Sequence, residues 1–223
     1  MLKELITVWK AQSFMAGVVG EFGQMLKNDG YVFSNAWKAL GGAVSIDEIA
    51  QSIHEKDKQV NHTEREIRRK LLEHLSVNPG QDVSGCLVIM SLIKDAERIG
   101  DYAKNIFDLG IVLKGDAKGM KHFDALSSIQ SKLEGHLSRL ETAFVDGDDQ
   151  VANEILKDYT PIKEDCNKIL NGLFEEELKT KEAVSTALLS RFLKRINSHI
   201  SNIASGIVYP LDRIDFVRGG ILE

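Results

Sequence analysis

Val88, Leu92, Ala96, Ile99, Ala103 and Ile106 mark out the stretch Val88–Ile106, and they recur at spacings of three and four with Lys94, Asp95, Glu97, Arg98, Asp101 and Lys104 between them. A period near 3.6 with charges on the other faces is the pattern of a helix that buries one stripe. The preceding stretch repeats it: Ile49, Ile53, Val60, Ile67, Leu71 and Leu75 lie at spacings of four and seven. Prolines are few, at Pro79, Pro161 and Pro210 only, so long helices are permitted nearly everywhere. Turns are predicted at Asn78-Pro79-Gly80 and Gly147-Asp148-Asp149, with further breaks at Gly41-Gly42 and Gly115. Ser45 followed by Glu48 predicts a capping box at a helix start. These signals predict an all-α chain, with a short leading helix and then helices over about 12–40, 46–76, 81–112, 120–146, 149–178 and 181–208.

The chain also resembles itself. Val60, Ile67 and Leu71 match Ile162, Ile169 and Leu173 at an offset of 102. Glu97 to Ile106 then matches Lys194 to Ile203 at an offset of 97, as if the second copy had a connection five residues shorter. Apolar matches follow from any two amphipathic helices, but Arg98 with Arg195 and Asn105 with Asn202 do not follow from periodicity. The expected organisation is a tandem repeat of two three-helix bundles joined by short connections. An N-terminal helical extension covers 1–11, the first unit 12–115, the second unit 116–210 and a C-terminal tail 211–223.

Composition narrows the function. The 223 residues carry 28 basic and 33 acidic side chains, a net charge of −5, which argues against a general nucleic-acid binder. The longest purely apolar run, Cys86 to Met90, is far below the roughly 20 residues of a membrane-spanning helix. No secretory leader is recognised at the start, and the reading is of a cytoplasmic protein. Cys86 and Cys166 form no CxxC and are expected to be buried free thiols. None of the six histidines has a glutamate three residues before it, there is no HExxH, and the histidines are read as scattered, mostly surface residues. Gly115 to Lys121 lacks the pattern of a phosphate-binding loop. Arg65, Arg68, Arg69 and Lys70 are interleaved with Glu64, Glu66 and Glu73 and read as a salt-laced helix face.

Chemistry concentrates on two helices. Glu97 and Asp101 stand at i and i+4, so they share one face, and Asp108 falls near the same stripe. Asp57 and Asn61 have the same spacing on the preceding helix. Two antiparallel helices bearing such pairs can gather four oxygen ligands around a divalent cation. On spacing alone the same residues also read as a solvated acidic face in which Arg98 and Lys104 make intrahelical ion pairs.

The string Asp95-Ala96-Glu97-Arg98-Ile99-Gly100-Asp101-Tyr102-Ala103-Lys104-Asn105-Ile106 resembles the signature helix of the PhoU family, the phosphate-uptake regulators of bacteria and archaea. The duplicated plan and the length are similar to that family over about residues 12–210. The resemblance implies a fold of two three-helix bundles, often dimeric, and a non-enzymatic regulator. It implies contact with a phosphate ABC transporter and a membrane sensor kinase, peripheral association with the membrane through them, and restraint of uptake and of the phosphate-starvation response. It further implies a divalent or iron-type metal on Glu97, Asp101, Asp57 and Asn61. The second copy departs from that pattern: Lys194 and Ser198 replace Glu97 and Asp101, and Tyr159 and Lys163 replace Asp57 and Asn61. A protonated lysine cannot ligate, so metal is expected in the first unit only, where Asn61 is itself a weaker ligand than a carboxylate. Lys163 and Lys194 are expected to pair with nearby acids. Two other readings stand beside this one: an accessory to an ion-coupled phosphate carrier, and a carboxylate-bridged helical metalloprotein.

The first forty residues differ from the rest. Trp9, Phe14, Met15, Val18, Val19, Phe22, Met25, Val32, Phe33 and Trp37 form a long apolar stripe, read as core or dimer packing in preference to membrane contact.

Overall fold

A computed structural model of the chain describes residues 13–214. Six α-helices carry them: α1 (Ser13–Leu40), α2 (Ile46–Val77), α3 (Val83–Leu113), α4 (Phe123–Asp146), α5 (Asp149–Gly172) and α6 (Thr180–Val208). Short 3-10 turns follow α5 at Leu173–Glu175 and α6 at Leu211–Arg213, and no strand occurs among the described residues. The all-α expectation holds, with helix ends within a few residues of the predicted ones except at α5. There the helix stops at Gly172, because the chain tightens into the 3-10 turn and Glu176 is caught by His122 at 2.8 Å and Lys121 at 3.2 Å. Leu173, matched to Leu71 in the repeat, therefore lies just past its helix. Trp9 and the leading helix lie outside the described residues.

Helix α1 is long because its apolar period is unbroken and buries on two sides. Met15, Val18, Val19, Phe22, Met25, Leu26, Val32, Phe33 and Trp37 are all buried, which is the core reading of that stripe. Along one side α1 packs on α2 and α3; along another it meets α4, where Phe22 stacks on Phe144 with centroids 4.2 Å apart. Trp37 stacks on Phe123 and donates its Nε1 proton to Ser127 Oγ at 3.3 Å. Helices α4 and α5 pack along α6, and α3 packs along α6, so one continuous core joins both sets of three helices.

The turns are set by backbone geometry. Gly42 and Gly115 both adopt positive φ where the α1–α2 and α3–α4 connections cross, and a Cβ on Gly42 would lie 2.7 Å from the Gly115 carbonyl oxygen. Only glycine fits both conditions there. Gly147 ends α4 in the left-handed conformation, and the Asp148 side chain accepts from the amides of Gln150 (3.0 Å) and Val151 (3.1 Å) to cap α5. The predicted capping box at Ser45 is corrected: Ser45 occupies the N-cap, but its side chain makes no cap hydrogen bond. Asp47 and Glu48 in the first turn favour that helix end through its dipole instead.

The seam between α3 and α6 is polar at its centre. Asp95 Oδ1 accepts from His199 Nδ1 at 2.7 Å and from Asn202 Nδ2 at 2.8 Å. Tyr102 stacks on His199 at 5.8 Å, and Arg195 Nε donates to the Tyr102 hydroxyl at 3.3 Å. Asp95 meets Asn202 while Tyr102 meets Arg195, so the two helices run antiparallel. At the offset of 97, Tyr102 and His199 are counterparts in the repeat, and so are Arg98 and Arg195. The repeat axis thus passes between the stacked Tyr102 and His199 rings. The symmetry is incomplete, because the counterpart of Asp95 is Phe192.

Candidate functional site

The groove between α2 and α3 holds the predicted acids. Glu97 is buried; Asp57, Asn61 and Asp101 are half-buried beside it. Much of their charge is matched from within the chain. Lys94 Nζ lies 2.7 Å from Glu97 Oε1, Arg98 Nη1 lies 3.1 Å from Asp101 Oδ2, and Lys104 Nζ lies 3.2 Å from Asp108 Oδ2. The pairing of Arg98 and Lys104 along α3 is the one the spacing allowed. Asn61 donates its Nδ2 proton back to the Asp57 carbonyl at 3.1 Å.

A fourth carboxylate, which sequence reasoning missed, sits beneath this groove. Asp29 of α1 is completely buried, and neither of its oxygens has a hydrogen-bond partner. Oδ1 lies against Gly100 of α3, so close that a Cβ there would stand 2.7 Å away. Burial, and then the like charges of Asp57, Glu97 and Asp101, push the Asp29 carboxyl well above its ordinary 3.8. Asp57 and Asp101 are raised too, chiefly by burial, with Lys104 pulling Asp57 down and Glu97 adding to Asp101. A sequence signal for Asp29 existed: it stands four residues after Met25 and four before Phe33, both fully buried, so a helical stripe carries it inward.

Whether these residues suit a metal turns on their free oxygens. Both Asp29 oxygens and Glu97 Oε2 are buried without a hydrogen-bond partner, although Arg98 Nε stands 3.7 Å from Glu97 Oε2. The set is an open groove, not a closed cage. Among the described residues no three histidine, cysteine, aspartate or glutamate side chains stand together at metal-holding range.

The matching face of the second unit is different. Lys194 Nζ donates to Asn167 Oδ1 at 2.7 Å, and Lys163 Nζ lies 5.7 Å from the centre of the Tyr159 ring. Ser198 Oγ donates to the Lys194 carbonyl at 3.1 Å. The expectation that both lysines pair with acids is corrected among the described residues: Lys194 is engaged by an amide on the neighbouring helix, and Lys163 stands over an aromatic ring on its own helix. A cleft of about 540 Å³ opens elsewhere in this unit, between α4 and α5, lined by His122, Ser128, Ile129, Lys168 and Glu176 among others.

The histidines are also corrected. His54 and His62 are exposed, but His74, His122, His136 and His199 each face a carboxylate, on Asp82, Glu176, Asp158 and Asp95 respectively. Their partners are 8 to 104 residues away in sequence, beyond any local motif. Burial lowers His136 below its ordinary 6.5, against the opposing pull of Asp158. The unfolded chain therefore takes up this proton first as pH falls from 6.5 toward the lowered folded value, and stability is lost over that window. Replacing His136→Gln is expected to flatten the loss of urea stability between pH 7.5 and 5.

Other expectations hold. Cys86 and Cys166 are free and buried, with thiols pushed up to about 11 and about 12 by burial. Arg69 pairs with Glu66 at 2.5 Å, Arg68 pairs with Glu64 at 3.1 Å, and Lys70 pairs with Glu21, so the basic run is a salt-laced face. No helix among the described residues is long and apolar enough to cross a membrane.

Comparison with known proteins places this geometry. The chain is 24% identical over 226 aligned residues to the Phosphate-specific transport system accessory protein PhoU homolog of Pseudomonas aeruginosa, covering 98% of this chain and 93% of that protein. It is 26% identical over 168 residues to the PhoU homolog of the same description from Deinococcus radiodurans, covering 74% of this chain and 78% of that one. The crystal structure of PhoU from Pseudomonas aeruginosa matches the fold with a TM-score of 0.80 at 24% identity, over 92% of this chain and 99% of that one. The phosphate transport system regulatory protein PhoU from Streptococcus pneumoniae matches at 0.70 and 24% identity, over 90% and 97%. The PhoU domain model matches twice, over residues 32–109 and again over 126–207. The chain belongs to the PhoU domain family.

Proposed function

We propose that this protein regulates phosphate transport by protein–protein contact, without catalysis, acting from the cytoplasmic side of the membrane through its partners. The observation that carries the reading is the double PhoU-domain match, on a chain that aligns along 93% of a relative named as a phosphate-specific transport accessory protein. The partners are a phosphate transporter of the ABC type and its sensor kinase. Engagement signals phosphate sufficiency and restrains both uptake and the starvation response. The working form is a homodimer, each chain built of units 12–115 and 116–210.

The α2–α3 groove of the first unit is the surface through which docking is tuned. Asp57, Glu97 and Asp101, with the Asn61 carbonyl, would hold a divalent cation there, and the cation would supply positive charge that neutralises the groove. Lys163 and Lys194 keep the second unit free of metal, because ammonium groups repel a cation. The chain's own contribution is the rigid helical face on which these acids stand.

A pulldown from native membranes tests the reading, using the wild type and a Glu97→Gln/Asp101→Asn variant, with metal measured in each eluate. The wild type is expected to recover a phosphate transporter or its sensor with no more than one site's worth of metal, and the variant to recover less of both. Recovery of an ion-coupled phosphate carrier would replace the ABC transporter as partner. Stoichiometric metal with no membrane partner would favour a helical metalloprotein instead.

A further inference from the structure

The second unit keeps the cations of the first and has lost the acids that answer them. At the offset of 97, Arg191 and Arg195 of α6 stand where the first unit has Lys94 and Arg98. Lys94 and Arg98 lean on Glu97 and Asp101, at 2.7 and 3.1 Å. Lys194 and Ser198 occupy the places of those two acids, so the positive charges remain and the carboxylates are gone. Lys163 adds a fourth charge from α5, one turn before Asn167, the residue that Lys194 reaches. Arg191 is exposed and the other three cations are half-buried. Their contacts are neutral: Lys194 with Asn167, Lys163 with the Tyr159 ring and Arg195 with the Tyr102 hydroxyl. Arg191 makes no hydrogen bond or ion pair, and none of the four meets a carboxylate, among the described residues. Asp165 of α5 leans to Lys132 of α4 at 3.9 Å instead, and Asp101 of α3 is held by Arg98. On a chain of net charge −5, four unanswered cations on one face make a local positive field.

The same face continues in apolar residues. Val184 and Leu188 lie at i and i+4, and Arg191 and Arg195 follow Leu188 at i+3 and i+7, so one stripe of α6 carries all four. Val184 is 52% exposed and Leu188 38%, whereas Leu189, Leu193, Ile196 and Ile200 of the same helix are buried.

We infer that the α5–α6 face of the second unit is a docking surface for an acidic segment of a protein partner. Lys163, Arg191, Lys194 and Arg195 receive its carboxylates, and Val184 and Leu188 receive an apolar side chain beside them. The inference rests on the reading that this protein works by contact, and it gives that contact a second face and the partner a chemistry. The cations extend along a full turn of α6 and across to α5, which suits carboxylates spaced along a chain in preference to one small oxyanion. Complementary charge of this kind speeds encounter and selects the partner. Exposed ion pairs each contribute little, so the surface works through their number and through the apolar pair at its end.

The test uses the full-length chain and a fluorescein-labelled peptide with leucines set among glutamates at helical spacing, followed by fluorescence anisotropy. The wild type is expected to bind it, and less tightly as salt rises. Arg191→Gln/Lys194→Gln is expected to weaken binding by about fivefold or more, and Leu188→Ser to weaken it as well, with melting unchanged in both. Lys38→Gln/Lys58→Gln removes the same charge from the first unit and is expected to leave the affinity within about twofold of the wild type. Equal weakening by the two double variants would reduce the binding to net charge and overturn the surface, as would absence of binding by the wild type. Complete displacement of the peptide by inorganic phosphate at constant ionic strength would overturn the acidic segment in favour of a small oxyanion. The pulldown from native membranes separates this inference from the reading beneath it. A wild type that recovers a phosphate transporter, with Arg191→Gln/Lys194→Gln recovering as much, would overturn the surface and leave regulation by contact standing. A wild type that recovers no membrane partner while the peptide results hold would count against the regulatory reading and support the surface.

Discussion

Replacing Phe22→Ala is expected to destabilise the fold by about 3–5 kcal/mol. Phe22 is fully buried on α1, and its ring stacks on that of Phe144, equally buried on α4, at 4.2 Å. Truncation removes the transfer free energy of a benzyl group and leaves a cavity between two long helices whose positions are fixed by contacts along their whole length. Gly23, beside Phe22, keeps α1 and α4 close: a Cβ there would stand 2.8 Å from Val145. The helices therefore have little freedom to close the gap. Because the pair joins a helix of the first three to a helix of the last three, the loss is expected in a single urea transition whose midpoint falls without splitting. Phe144→Ala is expected to behave similarly, and the double variant to lose less than the sum, with about 0.5–1.5 kcal/mol of coupling from the stacked rings.

The second large effect is expected at Asp95. Its Oδ1 takes hydrogen bonds from His199 and Asn202, at 2.7 and 2.8 Å, in a buried seam. A carboxylate only accepts, so His199 presents its Nδ1 proton, and the stacked Tyr102 ring holds the imidazole in place. Asp95→Ala leaves both donors without an acceptor, and hydrogen bonds to a charged group contribute about 1.5–3 kcal/mol each. The expected loss is about 3–5 kcal/mol, larger than for Asn202→Ala alone, which leaves the Asp95–His199 bond intact. A double-mutant cycle on Asp95 and Asn202 should return a coupling of about 0.5–3 kcal/mol. A loss below about 1 kcal/mol for Asp95→Ala would mean that water replaces both donors and that the seam is held by packing alone.

The helices were legible because their causes are local. Apolar spacing at Val88 to Ile106, glycines at 42, 115 and 147, and few prolines are all visible without a fold. The repeat was legible through Arg98/Arg195 and Asn105/Asn202, and its meaning appears where Tyr102 stacks on its own counterpart, His199. Glu97 and Asp101 fall on one face of α3, because i and i+4 on a helix share a face whatever surrounds them. What escaped was every feature whose cause lies on another helix. Asp29 acts on Glu97 and Asp101 from 68 and more residues away, and His199 meets Asp95 across 104. Ser45 shows the opposite limit: the local signal was present, but the acidic first turn served the helix end without the hydroxyl.

Regulation of phosphate transport is tested most directly by phosphate uptake together with starvation-gene expression in phosphate-replete cells with and without this protein. Loss of the protein is expected to raise uptake and switch the starvation response on despite ample phosphate, and the wild-type chain supplied in trans is expected to restore both. Unchanged uptake and an unchanged starvation response in cells lacking the protein would contradict it.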